Sequence, residues 1–493
     1  VTFTPCFDRE KMSELAPVVV SGTSVGAPLN QGADLDADAS GATTDLDRPE
    51  KQRSCKDPIF AVLLYANIGA IGGVVAAYGQ SFEDAIGGVG GEDYSGYAYS
   101  SLITGAFSMI ASGLALNVMM CIPEILIKIS LAFAVIMSGV YCALSFWYSN
   151  YLAGFIGAIY FALMICYAFA VRDRIPFATA NLVTAITGVK ANWGLFPMAY
   201  ISVIVAFAWS LMWTVAFLAV VDRTTECVIK NGDGSCAMYG SPSYGYLFLL
   251  FLSYFFTNQV IQNVVHTTTA GVLATWWIVP EEAASCCSPA VKDSCCRSLT
   301  TSFGSICFGS MVVAIIQALR GLANAARNDD NGVLICLADC ILGCLESLAE
   351  YLNKWAFVYV GIYGQTYLES GKSVMELFVN RGWDAVIADD LVSMALFFVS
   401  VSVGLMSGAV GVIVALSNKA WFSVAGEYAN TAAFILGFMV GLMLTSIMMS
   451  ILGSAVNAII VLFAESPAEF QENHPELSER MRETWDAAYP GCL

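Results

Sequence analysis

The chain has 493 residues, of which 57% are hydrophobic and only 13% charged, and its mean hydropathy is +0.67. A soluble domain is nearer half apolar and a quarter charged, so a soluble enzyme is excluded as the main reading. The net charge of −18 speaks against nucleic acid as a partner, because that needs a basic face.

The apolar stretches are continuous rather than alternating ten-residue strands, which excludes a transmembrane β-barrel. At roughly 20 apolar residues per bilayer crossing, there is room for about ten spans. The expected fold is an all-α polytopic membrane protein of about ten transmembrane helices with a disordered acidic N-terminal tail. Residues 1–57 hold ten acids and six bases, and 464–493 hold seven acids and two bases, so half the net charge lies at the two ends. Residues 21–50 are small and acidic without an aromatic, too poor in apolar surface to offset the entropy of ordering. No apolar stretch of signal-peptide type precedes residue 58. Three regions follow: a disordered tail 1–57, a membrane domain 58–463 and a polar C-terminal tail 464–493, with the lipid bilayer as the partner of the middle one.

In chain order the expected crossings are 58–78, 98–119, 125–147, 150–171, 194–221, 244–279, 299–320, 354–369, 387–416 and 428–463. The 354–369 span is short and is compatible with a re-entrant segment. Lys and Arg in short loops concentrate on the cytosolic side. With the N-terminus inside, 16 of the 22 basic residues fall on that side and 6 on the other. Both tails are therefore expected in the cytosol, with 79–97 and 222–243 on the opposite face. The outer placement of Arg320, Arg327 and Lys354 fits this least well. Gly69–Gly73, Gly404–Gly408 and Gly437–Gly441 have the small-xxx-small spacing that lets helices approach closely.

The 16 cysteines divide by environment. Cys227 and Cys236 share the 222–243 loop, where an oxidising face permits a disulfide, and one is expected there. Cys286, Cys287, Cys295 and Cys296 lack CxxC knuckles, so acylation or free thiols is expected over zinc. Cys336, Cys340 and Cys344 form an i, i+4, i+8 stripe that reads as a packed seam. No metal site and no cofactor is expected.

No acidic or basic residue lies near the centre of an expected span, which removes any acid/base or nucleophile constellation and argues against an enzyme. One stretch, 254–277 (YFFTNQVIQNVVHTTTAGVLATWW), is unusually polar. Asn258, Gln262 and His266 form one i+4 row, and Gln259 and Asn263 an adjacent one. Polar groups in lipid need partners, so this face looks into the bundle, either to hold helices together or as the wall of a permeation path. His266, with a reference pKa of about 6.5, can titrate there. Trp276 and Trp277 close the stretch as an interfacial belt. Aromatics make up 12% of the chain, with Trp209 and Trp213, and Tyr359 and Tyr363, at i, i+4. Ring faces hold a quaternary ammonium, which cannot donate hydrogen bonds, so such an interior suits a small organic cation.

Five stretches carry a resemblance: RSCKDPIF (53–60), TNQVIQNVVHTTTAGVLATWW (257–277), TSFGSICFGSMVVAIIQALR (301–320), CLESLAEYLNKWAFVYVGIYGQTYLESGK (344–372) and FVNRGWDAVIADDLV (378–392). From about residue 53 to 465 the chain resembles the choline transporter-like family, in its plasma-membrane branch of fungi and algae. The resemblance implies ten spans, cytosolic termini, a plasma-membrane setting, and transport of choline or a related amine such as ethanolamine by alternating access. It supplies no substrate motif. The expected substrate-binding residues, Asn258, Gln262, His266, Trp209, Trp213, Tyr254 and Tyr363, rest on polarity and aromaticity alone. The alternative is a non-transporting structural or lipid-interacting membrane protein.

Overall fold

The fold is described by a computed structural model, which covers residues 55–78, 95–149, 151–224, 227–230, 236–239, 244–325, 332–381, 384–418, 421–422, 426 and 428–488. The expected disordered tail 1–57 lies outside these residues except for its last three positions. The bundle begins with α1 (Pro58–Tyr78), α2 (Ser95–Cys121), α3 (Pro123–Trp147) and α4 (Tyr151–Ala170). It continues with α5 (Ile175–Ala191), α6 (Leu195–Thr224), α7 (Tyr244–Ile278), α8 (Pro289–Leu299) and α9 (Phe303–Ala325). Then come α10 (Gly332–Tyr363), α11 (Tyr367–Arg381), α12 (Asp384–Ser417), α13 (Ala429–Glu465), α14 (Pro467–Asn473) and α15 (Pro475–Ala488). Among the described residues nine helices are long and apolar enough to cross a membrane: α1, α2, α3, α4, α6, α7, α9, α12 and α13. The chain is an all-α polytopic membrane protein.

Several expectations need correction. The short span expected at 354–369 does not exist as drawn: α10 starts at Gly332, runs to Tyr363 and breaks at Gly364, whose φ of 66° suits glycine. Consequently Glu346, Glu350 and Lys354 lie within the last 20 residues of a helix packed on α7 and α9. The carboxylates have partners on α9, Glu350 accepting from Gln317 at 3.0 Å. Arg320 on α9 binds Asp339 at 2.8 Å and Glu346 at 2.7 Å, so its positive charge does not weigh freely in the loop count. Residues 172–193, expected as a basic loop, form the mostly buried helix α5, packed under α13 and α15.

The glycine spacing is right in two places and wrong in the third. At the α12–α13 contact a Cβ on Gly437 would lie 2.6 Å from the Ser407 carbonyl, so only glycine permits this approach. Nothing lies within 4 Å of a Cβ built on Gly69 or Gly73, so that pair is not a packing motif. Hydroxyls tie α2 to the same pair, Ser108 to Ser407 at 3.0 Å and Ser112 to Thr445 at 2.8 Å.

The antiparallel hairpin β1 (Cys227–Lys230) and β2 (Cys236–Tyr239) joins α6 to α7. Its register pairs Cys227 with Tyr239 and Cys236 with Lys230. The cysteines are thus offset by three residues along the strand, about 10 Å, beyond the Cα separation a disulfide tolerates. A Cys227–Cys236 bridge therefore requires another register; the two side chains themselves lie outside the described residues, as do Arg327 and Cys336. Cys286, Cys287, Cys295 and Cys296 are free thiols, and among the described residues no group of three or more His, Cys, Asp or Glu could hold a metal ion.

The entry to α1 is a knot of local bonds. Asp57 has φ 47°, a left-handed conformation that Asp tolerates better than Ala. Its Oδ2 accepts from Ser305 Oγ at 2.7 Å and from Tyr367 N–H at 3.3 Å, and Lys56 N–H donates to Thr301 O at 2.8 Å. Asp57→Ala combines backbone strain with two lost hydrogen bonds, an expected cost of about 2–3 kcal/mol. Asp57→Asn should recover most of it. Thermal unfolding in detergent checks this, and an alanine variant that melts with the wild type would remove Asp57 as an anchor.

Candidate functional site

α7 is the organising element. At 1.5 Å per residue its 35 residues span about 52 Å, and Gln262 lies at its middle. The two polar rows go to different neighbours. Asn263 Nδ2 donates to Ser310 Oγ on α9 at 2.9 Å. Gln259 Nε2 donates to Gln317 Oε1 on α9 at 3.3 Å, and Gln317 Nε2 to Glu350 Oε1 on α10 at 3.0 Å. This row is interhelical glue.

The other row is different. His266 is held on both ring nitrogens, Nδ1 with Ser454 Oγ of α13 at 2.5 Å and Nε2 with the Lys354 carbonyl of α10 at 2.8 Å. A carbonyl only accepts, so Nε2 carries a proton. Asn258 returns its amide to Tyr254 O on its own helix at 3.0 Å. Gln262, between them, is exposed and makes no hydrogen bond among the described residues.

A matching row stands on α13. The bonds His266–Ser454 and Trp277–Ser466 are eleven residues apart on α7 and twelve on α13, so the two helices run side by side in the same direction. One turn back from His266–Ser454, Gln262 is level with Ser450; one turn further, Asn258 is level with Ser446. Ser446 and Ser450 are exposed and bond only to their own helix, at Leu442 O and Ile447 O. The α7–α13 seam therefore presents amides and hydroxyls along two turns and is closed by His266. α6 supplies an aromatic wall at its upper end: Trp213 Nε1 donates to Leu250 O at 2.8 Å, and the Trp213 and Tyr254 rings are 4.8 Å apart.

Of the expected substrate-binding residues, Asn258, Gln262, His266, Tyr254 and Trp213 share this stretch of α7 and its neighbour. Trp209 does not: it is buried against Ile71, Ala216 and Leu250. Tyr363 lies at the far end of α10. Reasoning from residues missed Ser450 and Ser454, although their i, i+4, i+8 spacing with Ser446 was there to be read.

Below His266 the bundle is shut. α7 and α10 touch backbone to backbone, since a Cβ on Gly361 would lie 2.5 Å from Thr267 O. Arg297 of α8 donates to Gly361 O, with burial holding its guanidinium below the usual pKa and Asp293 opposing that shift. At the ends of α10 and α13, Tyr359 donates to Glu465 Oε1 at 2.6 Å and Tyr363 donates to Glu465 Oε2. Trp276 and Trp277, expected as an interfacial belt, are instead buried under α14. Trp277 stacks on Phe470 at 3.7 Å and donates to Ser466 O at 2.9 Å, and Trp276 stacks on His474 at 4.2 Å. Asn473 caps the last turn of α7 at Trp277 O and Ile278 O, satisfying carbonyls that a helix end leaves unpaired.

Comparison with known proteins agrees with this architecture. The chain is 29% identical over 343 residues to Protein PNS1 of Eremothecium gossypii, covering 67% of this chain and 60% of that protein. It is 28% identical over 465 residues to Protein PNS1 of Mycosarcoma maydis, covering 90% and 86%. A CTL-like protein of Dictyostelium discoideum is 29% identical over 367 residues, covering 73% and 62%. Residues 155–468, more than half of the chain and including the polar seam, the closed end and the start of α14, match the family described as plasma-membrane choline transporter, and the chain belongs to that family.

Proposed function

We propose that this protein carries choline or a related organic amine, ethanolamine among them, across the plasma membrane by alternating access, and that it is not an enzyme. The observation that carries the reading is the exposed Gln262 amide, without a hydrogen bond among the described residues, level with the exposed Ser450 at mid-helix and about two turns along α7 from the Trp213–Tyr254 ring pair. An amide at that depth needs water or ligand. Ring faces supply the attraction a quaternary ammonium can use, about 0.5–2 kcal/mol each, while amides and serines suit a hydroxyl or a primary amine. Membership in the transporter family supports the same reading.

On this reading the seam above His266 is the side that admits substrate, and the close α7–α10 packing below it is the closed side. Transport then requires the His266 bonds to α10 and α13 to break as the upper seam closes. Radiolabelled choline uptake into proteoliposomes, with competing ethanolamine and tetramethylammonium, tests this; no uptake above protein-free vesicles overturns it. A second reading has one observation in its favour, the double interhelical bonding of His266, which fits a structural or lipid-interacting protein; the same assay separates the two.

The basic count supports an orientation with the α14–α15 end and both tails in the cytosol and the β1–β2 hairpin on the opposite face. Cysteine-accessibility labelling of intact cells should mark positions in 222–243 and spare 464–493. Labelling of the C-terminal segment from outside contradicts the orientation.

A further inference from the structure

We propose that Cys287 and Cys296 are S-acylation sites, two thiols at the membrane surface that accept long-chain fatty acyl groups from acyl-CoA. They are the outward members of two adjacent-cysteine pairs, Cys286–Cys287 just before α8 and Cys295–Cys296 within it. All four are free thiols; Cys287 and Cys296 are exposed, while Cys286 and Cys295 are half-buried. Burial, with Cys296 alongside, pushes the Cys295 thiol up, which withholds the thiolate that attacks an acyl carbon. Each pair thus offers one accessible nucleophile.

Three close contacts fix the level of these thiols. A Cβ on Gly194, next to the first residue of α6, would lie 1.7 Å from the Cys286 carbonyl oxygen, and Ser288 Oγ donates to Asn192 Oδ1 at 3.0 Å. Residues 286–288 therefore run along the chain that enters α6. A Cβ on Gly271 of α7 would lie 2.9 Å from Ser294 Oγ, so α8 lies against α7, and its last residue, Leu299, comes just before α9. α6 and α9 are both long and apolar enough to cross a membrane, so their first residues mark its surface.

The side chains at these two entries face outward. Trp193 is 54% exposed and Leu299 51%, as suits residues that meet headgroups and acyl chains. Cys296 and Leu299 are i, i+3 on α8, and the exposed Lys292 is one turn before Cys296, so the three share a face. A lysine there suits the anionic headgroups of a cytosolic leaflet. An acyl chain on either sulfur has hydrocarbon beside it, which is the setting of juxtamembrane acylation.

In the reaction the cysteine thiolate adds to the carbonyl carbon of acyl-CoA. The new C–S bond forms as the C–S bond to coenzyme A breaks, and the coenzyme A thiolate takes up the proton that the cysteine gave. The donor is cytosolic, so the assignment rests on the orientation proposed above. Two chains in the leaflet hold α8 at the surface and, through Arg297 and the Gly361 carbonyl, the lower end of α10.

The test uses full-length protein from native membranes. Free thiols are blocked with N-ethylmaleimide, thioesters are cleaved with hydroxylamine, and the released thiols are tagged with a maleimide polymer that shifts the band on a gel. Wild type should gain two tags, Cys287→Ser and Cys296→Ser one each, and the Cys287→Ser/Cys296→Ser double variant none. Cys286→Ser/Cys295→Ser should keep both. Wild type without a hydroxylamine-dependent tag overturns the proposal, and this reading needs no variant to fold. A Cys287→Ser/Cys296→Ser protein that keeps both tags also overturns it, moving the modification to another exposed cysteine such as Cys121 or Cys166. Labelling of the C-terminal segment from outside separates the two failures: untagged protein with that segment inside refutes the sites alone, and untagged protein with it outside refutes the orientation and the sites together.

Discussion

Trp277→Ala is expected to be the most destabilising single change outside the glycine contacts, at about 3–5 kcal/mol. The indole is fully buried, stacks on Phe470 with an interplanar angle of 9°, and meets Phe463 edge-on. It also donates to the Ser466 carbonyl, the residue where α13 turns into α14. Truncation removes the stack, opens a cavity between three helices and leaves that buried carbonyl unpaired, and these terms add. Trp277→Phe keeps most of the ring contact and loses only the donor, so about 1 kcal/mol is expected. The order wild type, Phe, Ala in melting temperature checks the account. An alanine variant that melts within a degree of wild type would mean that α14 does not clasp the bundle. Because the same clasp adjoins Glu465, the alanine variant should also leak amine in both directions when it can be reconstituted.

Most of the membrane architecture was legible because lipid imposes a simple rule: long apolar stretches are helices, and their number follows from length. The failures share a cause. Trp276 and Trp277 look like an interfacial belt because a Trp pair at a span end normally meets headgroups; here a helix seven residues long, Pro467–Asn473, folds back over them, and nothing in the local pattern announces it. The expected span starts too late because Asp339, Glu346, Glu350 and Lys354 break the hydropathy of α10, yet the three carboxylates meet Arg320 and Gln317 from α9, and the Lys354 ammonium lies 5.2 Å from the Tyr351 ring centroid. The site was half legible for a related reason. Asn258, Gln262 and His266 announce themselves by density on one helix, whereas Ser450 and Ser454 are ordinary until they are seen level with them. The stretches that carry the family resemblance include many of the anchors: Asp57, Ser305, Tyr367 and Asn353 are joined in one hydrogen-bonded knot at the start of α1. They mark how the helices are tied more than what passes between them.

His266→Gln is expected to lower choline uptake by roughly a hundredfold with surface expression retained. The imidazole spans two helices at once, because its two nitrogens point in opposite directions to Ser454 and to the Lys354 carbonyl. A glutamine amide can reach one partner but not both, so one buried hydrogen bond is lost at a cost of about 1–3 kcal/mol, and the upper end of that range gives the expected factor. The pH dependence should change as well. Ser454 has one hydroxyl proton and two acceptors in reach, the Ser450 carbonyl at 2.9 Å and His266 Nδ1 at 2.5 Å. With the hydroxyl turned to Nδ1 the imidazole is neutral; with it turned to Ser450, Nδ1 must carry its own proton and the ring is a cation at the floor of the seam. A cation there repels an incoming ammonium, so uptake in the wild type should fall on acidification as the second arrangement fills, and the glutamine variant should lose that dependence. Uptake measured at several pH values in both proteins decides it. A variant with wild-type uptake and an unchanged pH profile, altered only in melting temperature, would reduce His266 to a strut between α7, α10 and α13.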